Sequence, residues 1–298
     1  MSNQSGINRT WRVKRMHVAP LPPEKRDDIP EDQKPKKPQP IPVPDIEPTR
    51  IFDNLSVIGD EFVYCFVIET TEGLVMIDAL YPFDKYEEMI ESGIRALDMD
   101  PADVKAILLT HGHFDHYGVA ERFQKKYGTK VYMAQREYEF YKSFPEDSDR
   151  YFPFEVDGFL EDGDDFTLGN TTIHCVETGG HSPAVLSYIF PVWDEGRPHM
   201  CGTWGGTGTP KDRESQEQYL RSAIHFTEEC DKYGCDVEVS NHPIIDNGNE
   251  RLRVIQHITD GVANPFVIGR DAMHRYCAMF YDFMAQKMDP KPADNPLL

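Results

Sequence analysis

The apolar stretch VKAILLT (104–110) runs directly into His111-Gly112-His113-Phe114-Asp115-His116. A short apolar run of this kind reads as a buried strand. The six residues after it carry three imidazoles and a carboxylate. Imidazole suits zinc and related first-row ions, and a carboxylate is a good hard partner for them. Alternate residues of an extended segment point the same way, so His111 and His113 can chelate one ion from one side. Asp115 and His116 lie where the chain turns toward Gly118 and can face a second position. The strand fixes this group at a sheet edge, which argues against a solvated histidine-rich loop.

On the N-terminal side, IFDNLSVIG (51–59), FVYCFVIET (62–70) and LVMIDA (74–79) read as three strands rich in β-branched and aromatic residues. The apolar spacing of 83–99 predicts a helix. On the C-terminal side, a helix over 118–128, a strand KVYMA (130–134) and a helix QREYEFYKS (135–143) follow. The pattern then repeats. A hairpin over 165–178 turns at Gly169-Asn170. VLSYIF (185–190), HMCG (199–202) and DVEVSN (236–241) are strands, with helices over 214–233, 251–261 and 269–288. Two groups of strands with interspersed helices predict an α/β fold of two packed sheets covered by helices, an αββα sandwich.

The chain has 298 residues, enough for one large domain. Residues 20–48 hold ten of the 23 prolines, so 1–48 are assigned to an extended Pro-rich arm and 49–298 to the folded domain. Trp11, Ile41 and Val43 are candidate anchors for the arm on its own domain or on a neighbouring subunit, which makes a homo-oligomer an expectation. The net charge of −20 repels phosphate backbones, which argues against nucleic-acid binding. No apolar stretch reaches the length of a membrane span, and the first 20 residues show no apolar signal core. A cytoplasmic protein with no membrane partner is expected. The six cysteines form no CxxC pair and are expected to be reduced and mostly buried.

HxHxDH after an apolar strand resembles the metallo-β-lactamase superfamily, and the resemblance covers about residues 50–285. Asp78 closes LVMIDA as that family's first aspartate does, bracing the metal loop. Gly180-His181-Ser182-Pro183 is similar to the family's third-histidine segment, and Asn241-His242-Pro243 to its late-histidine segment. The comparable HMCGTWGG stretch (199–206) has no acidic residue, and the family's di-iron members carry a glutamate where this chain has His113. The pattern is therefore closest to the subclass whose second zinc is held by one Asp and two His. That resemblance implies two Zn2+ per chain. His111, His113 and His181 would hold the first; Asp115, His116 and His242 the second. Cys201, on a strand that supplies a ligand in another subclass, ranks behind His116. His17, His174, His199, His225, His257 and His274 have no such framing and read as structural or surface groups.

The implied activity is hydrolysis of an amide, lactam, lactone or ester of a small molecule by a zinc-bound hydroxide. Asp115 would orient that nucleophile as the catalytic carboxylate. Different chemistry on the same scaffold (a lyase or a mono-iron oxygenase) and a non-catalytic metal-binding scaffold are the alternatives. Tyr117, Trp204 and Thr203 are candidate pocket residues because they adjoin metal-site segments. Tyr81, Phe62 and Tyr64 could extend an aromatic wall, and Lys211 or Arg213 could meet a substrate carboxylate.

Overall fold

The computed structural model describes residues 43–148, 150–259, 261–289 and 293–298. Most of the Pro-rich arm, with Trp11 and Ile41, lies outside them. Its last residues meet the folded domain: Ile46 N–H donates to Gly59 O at 3.1 Å, and Glu61 N–H donates to Pro44 O at 2.9 Å.

The first sheet has seven strands in the order β1 (Thr49–Phe52), β2 (Leu55–Gly59), β3 (Tyr64–Thr70), β4 (Gly73–Ile77), β5 (Val104–Leu108), β6 (Lys130–Met133) and β7 (Gly158–Phe159). Its first four strands pair antiparallel; β4 through β7 run parallel. The single strand expected over 51–59 is in fact two. Asp53 and Asn54, both turn-forming residues, break it into the β1–β2 hairpin. The second sheet has the order β12 (Val237–Ser240), β11 (Arg197–Trp204), β10 (Leu186–Asp194), β9 (Thr171–Glu177) and β8 (Asp165–Leu168). The strands expected at 185–190 and 199–202 are longer and joined by a tight turn at Glu195-Gly196.

Side-chain alternation builds the layers. Phe66, Ile68, Val75, Ile77, Ala106 and Leu108 face the second sheet and pack with Ile173, Leu186, Tyr188 and Phe190. Their sequence neighbours Cys65, Val67, Met76, Ile107 and Leu109 face outward and are covered by α1 (Asp84–Ala96), through Ile90 and Ile94, and by α3 (Ala120–Tyr127), through Phe123. Between β5 and α3, the chain makes a single helical turn, α2 (Phe114–Tyr117). The outer face of the second sheet is covered by α5 (Arg213–Tyr233) and α7 (Arg270–Met288). Helix α5 buries Tyr219, Ala223, Phe226 and Cys230 at helical spacing. Asp212 starts it by accepting from Ser215 N–H at 2.9 Å. The result is the expected αββα sandwich. The remaining helices, α4 (Gln135–Lys142) and α6 (Gly248–Gln256), lie beside the histidine-bearing loops. No helix among the described residues is long and apolar enough to cross a membrane.

Candidate metal centre

The histidines come from strand ends. The His111–His116 loop follows β5; His181 follows β9, and His242 follows β12. These ends converge on two groups: His111, His113 and His181, and Asp115, His116 and His242. Within each group the candidate donor atoms all lie within 4.8 Å of one another.

Hydrogen bonds fix the ring orientations. The fully buried Asp78 accepts from Thr110 N–H at 2.8 Å and from the Thr110 hydroxyl. Its Oδ2 also lies 2.7 Å from His116 Nδ1 and accepts from Asn241 Nδ2 at 3.1 Å. Because the Thr110 hydroxyl donates to Asp78, it is left to accept from His111 Nδ1, 3.0 Å away. His181 Nδ1 donates to Gly208 O at 2.7 Å, and His242 Nδ1 to Phe62 O at 2.9 Å. Four rings are thus tied through Nδ1, and in the neutral form their Nε2 lone pairs point into the site. His111 Nε2 is buried with no protein partner. His116 Nε2 and His242 Nε2 stand 3.2 Å apart, and His113 Nδ1 and His181 Nε2 stand 3.0 Å apart. Two nitrogens bound tetrahedrally to zinc at about 2.0–2.1 Å stand about 3.3 Å apart. The donor set and its spacing therefore fit zinc.

Electrostatics agree with that donor set. Burial, reinforced by the neighbouring rings, pushes His111 well down and His242 down. Burial likewise pushes His113 down to about 4 and His181 to about 3. Such rings are neutral at pH 7, as ligands must be. For His116, burial is outweighed by Asp115 and Asp78, which raise it. The close His116–His242 pair needs a positive charge between its nitrogens, and a proton or a metal ion supplies it. Burial would raise Asp115, but His116, His242 and His113 hold it below the usual carboxylate range. Asp115 Oδ2 lies 3.6 Å from His116 Nε2 and 3.8 Å from His242 Nε2.

The loops are held from behind. Gly180, at φ +129, packs against Tyr219 of α5, where a Cβ would meet that residue at 2.7 Å. Ser222 donates to Gly179 O at 2.7 Å, and Gln218 to Pro183 O at 3.0 Å. Gly208 lies against the Nδ1–Cε1 edge of the His181 ring, where a Cβ would come within 2.5 Å of Cε1. Glu137, at the start of α4, carries no sequence motif and was not among the expected residues. Its fully buried carboxylate accepts from Gly112 N–H at 2.9 Å and from Ala184 N–H at 2.6 Å. Burial raises it, against the pull of those two bonds.

The three candidate pocket residues stand elsewhere. Tyr117 is buried against Tyr141 and Phe154, and its hydroxyl donates to Arg150 O at 2.7 Å. It follows His116 on a helical turn, so it points about 100° away from the site. Trp204 is fully buried on the outer face of the second sheet, stacked on Phe280, and donates to Gly206 O at 2.7 Å. Thr203, on the opposite face of β11, is buried between the sheets. All three are buried in this structure. Tyr64 is also buried. Phe62 is exposed and meets the His242 ring edge-on at 5.1 Å. Arg213 pairs with Glu217 at 2.8 Å. Cys201 is buried on the inner face of β11 and is in neither donor group; burial pushes its thiol well up. All six cysteines are buried and free. His174, His199, His225 and His274 pair with Asp165, Asp236, Asp162 and Asp231, outside both donor groups.

A profile of the metallo-beta-lactamase superfamily matches residues 58–192. The probable polyketide biosynthesis zinc-dependent hydrolase BaeB of Bacillus velezensis is 30% identical over 156 residues, 49% of this chain and 60% of that one. The N-acyl homoserine lactonase AttM of Azorhizobium caulinodans is 32% identical over 189 residues, 56% of this chain and 68% of that one. The matches to the first curated relatives span only 50 to 60% of their lengths. Among solved structures, BJP-1, a subclass B3 metallo-beta-lactamase of Bradyrhizobium japonicum, superposes with a TM-score of 0.71 at 25% identity, covering 83% of this chain and 96% of that one. With the lactonase match, the sandwich and both donor groups in agreement, this chain belongs to the metallo-β-lactamase superfamily.

Proposed function

We propose that this protein is a zinc-dependent hydrolase that opens the carbonyl of a small-molecule lactone, ester, lactam or amide, with one zinc in each donor group. One observation carries the reading. Four imidazoles are tied through Nδ1 to protein acceptors, so that four Nε2 lone pairs converge with an ionised carboxylate. Zinc held there supplies Lewis acidity toward the substrate carbonyl and a water acidic enough to react near neutral pH. Asp115 accepts a hydrogen from the attacking water through Oδ2 and sets its direction. Asp78 and Thr110 keep the His116 and His111 rings from turning. The names of the relatives, a polyketide-biosynthesis hydrolase and a lactonase, support hydrolysis of a small acyl compound. Phe62, exposed and edge-on to the His242 ring, favours an apolar acyl group on that side.

The test is a screen of the zinc-loaded protein against lactones, esters, thioesters and lactams, with chelated protein as control. Hydrolysis abolished by chelator and restored by zinc is the expected result. A blank panel, or turnover indifferent to chelator, overturns the proposal.

A further inference from the structure

Glu137 joins two loops that are far apart in sequence. One oxygen takes the N–H of Gly112, the residue between His111 and His113. The other takes the N–H of Ala184, three residues beyond His181. The two bonds tie the His181 loop to the stretch of the shared His111–His116 loop that carries His111 and His113, while Asp115 and His116 lie three and four residues beyond Gly112 and His242 on a third loop. Burying a carboxylate is costly, and a packing role alone would be met by an apolar side chain. What a carboxylate offers here is an acceptor on both oxygens and no donor, matched to two inward-pointing N–H groups. We infer that Glu137 is a positioning residue for the His111/His113/His181 triad, setting the separation of its two loops; this rests on the reading of that triad as a zinc site.

Glu137→Gln keeps shape and volume but turns an N–H group toward one of the two backbone donors. Outer partners of metal ligands typically control affinity by about 10–100-fold. Competition titration of the full chain with a chromophoric zinc chelator resolves the two binding steps. The expected result is one step weakened by about 10–100-fold and the other, at Asp115/His116/His242, unchanged. The melting temperature of the metal-free protein, measured alongside, reports on packing alone. Both steps unchanged, or both weakened, with or without a fall in the melting temperature, would overturn the inference. Should the variant not fold, hydrogen exchange on the metal-free parent protein decides. The Gly112 and Ala184 amides must then be protected before any zinc is added, and rapid exchange at either overturns the inference. A parent protein that binds no zinc overturns the zinc reading itself, and this inference with it.

Discussion

Asp78 Oδ2 lies 2.7 Å from His116 Nδ1, and both side chains are sealed from solvent. The same carboxylate reaches His111 through the Thr110 hydroxyl. One buried side chain therefore sets the tautomer of a ring in each triad. Asp78→Asn places an amide where only acceptors are wanted. Zinc affinity should fall by about 10–100-fold at both steps, unlike the single-step effect expected at Glu137. Chelator competition on the two variants side by side checks this.

Under the proposed function Asp115 orients the attacking water, and its charged neighbours are the His116 and His242 rings. Asp115→Asn should lower kcat by about 100-fold or more, the usual loss when a group that orients a reacting species is removed. Circular dichroism and the melting temperature should stay close to the parent. Unchanged turnover on the best substrate found would refute the role.

Phe62 is 47% exposed and leans on His242. Truncation to alanine removes an apolar contact surface for an acyl chain. Partial loss of such burial, about 1.4 kcal/mol, corresponds to roughly tenfold in KM. The expected pattern is a raised KM for long-chain substrates and little change for acetyl ones. Steady-state kinetics over a chain-length series reads it out.

A buried pair of carboxylates, Asp246 and Glu238, contributes to pH stability, and burial raises both. Asp246 is buried beside Glu238, and burial together with that neighbour pushes it up to about 8; Arg251, 3.6 Å away, opposes the shift without cancelling it. The folded chain thus holds a proton that the unfolded chain releases near pH 4. Stability from this group is full below pH 4 and declines as pH rises, until it is lost above about 8. Metal-free protein should melt at a lower temperature at pH 9 than at pH 6. Asp246→Asn should flatten that difference, and equal slopes in parent and variant would reject the assignment.

The histidine-bearing segments were legible because each ligand is framed locally: a strand end, a turn and a run of small residues. His181 in GGHSP and His242 in NHP stand out for that reason. Glu137 was not legible. Its partners lie 25 residues before it and 47 after it, and the helix sequence around it shows only ordinary amphipathic spacing. The three pocket candidates are buried for a related cause. Adjacency to a ligand in sequence says nothing about which face a side chain takes. Tyr117 is turned away by the helical step after His116. On β11, Cys201 and Thr203 face one layer and Trp204 the other, and the alternation gives no sign of which layer holds the site.

Each donor group takes two residues from the loop after β5 and one from the second sheet's side, His181 or His242. Bound ions would therefore act as rivets across the seam of the sandwich rather than as ornaments on one half of it. Neither triad can close until both halves have docked, so metal capture reports the completion of folding. Stripping the metal would leave each sheet's own ladder of strands, and the apolar core between the sheets, intact while removing the ties across the seam.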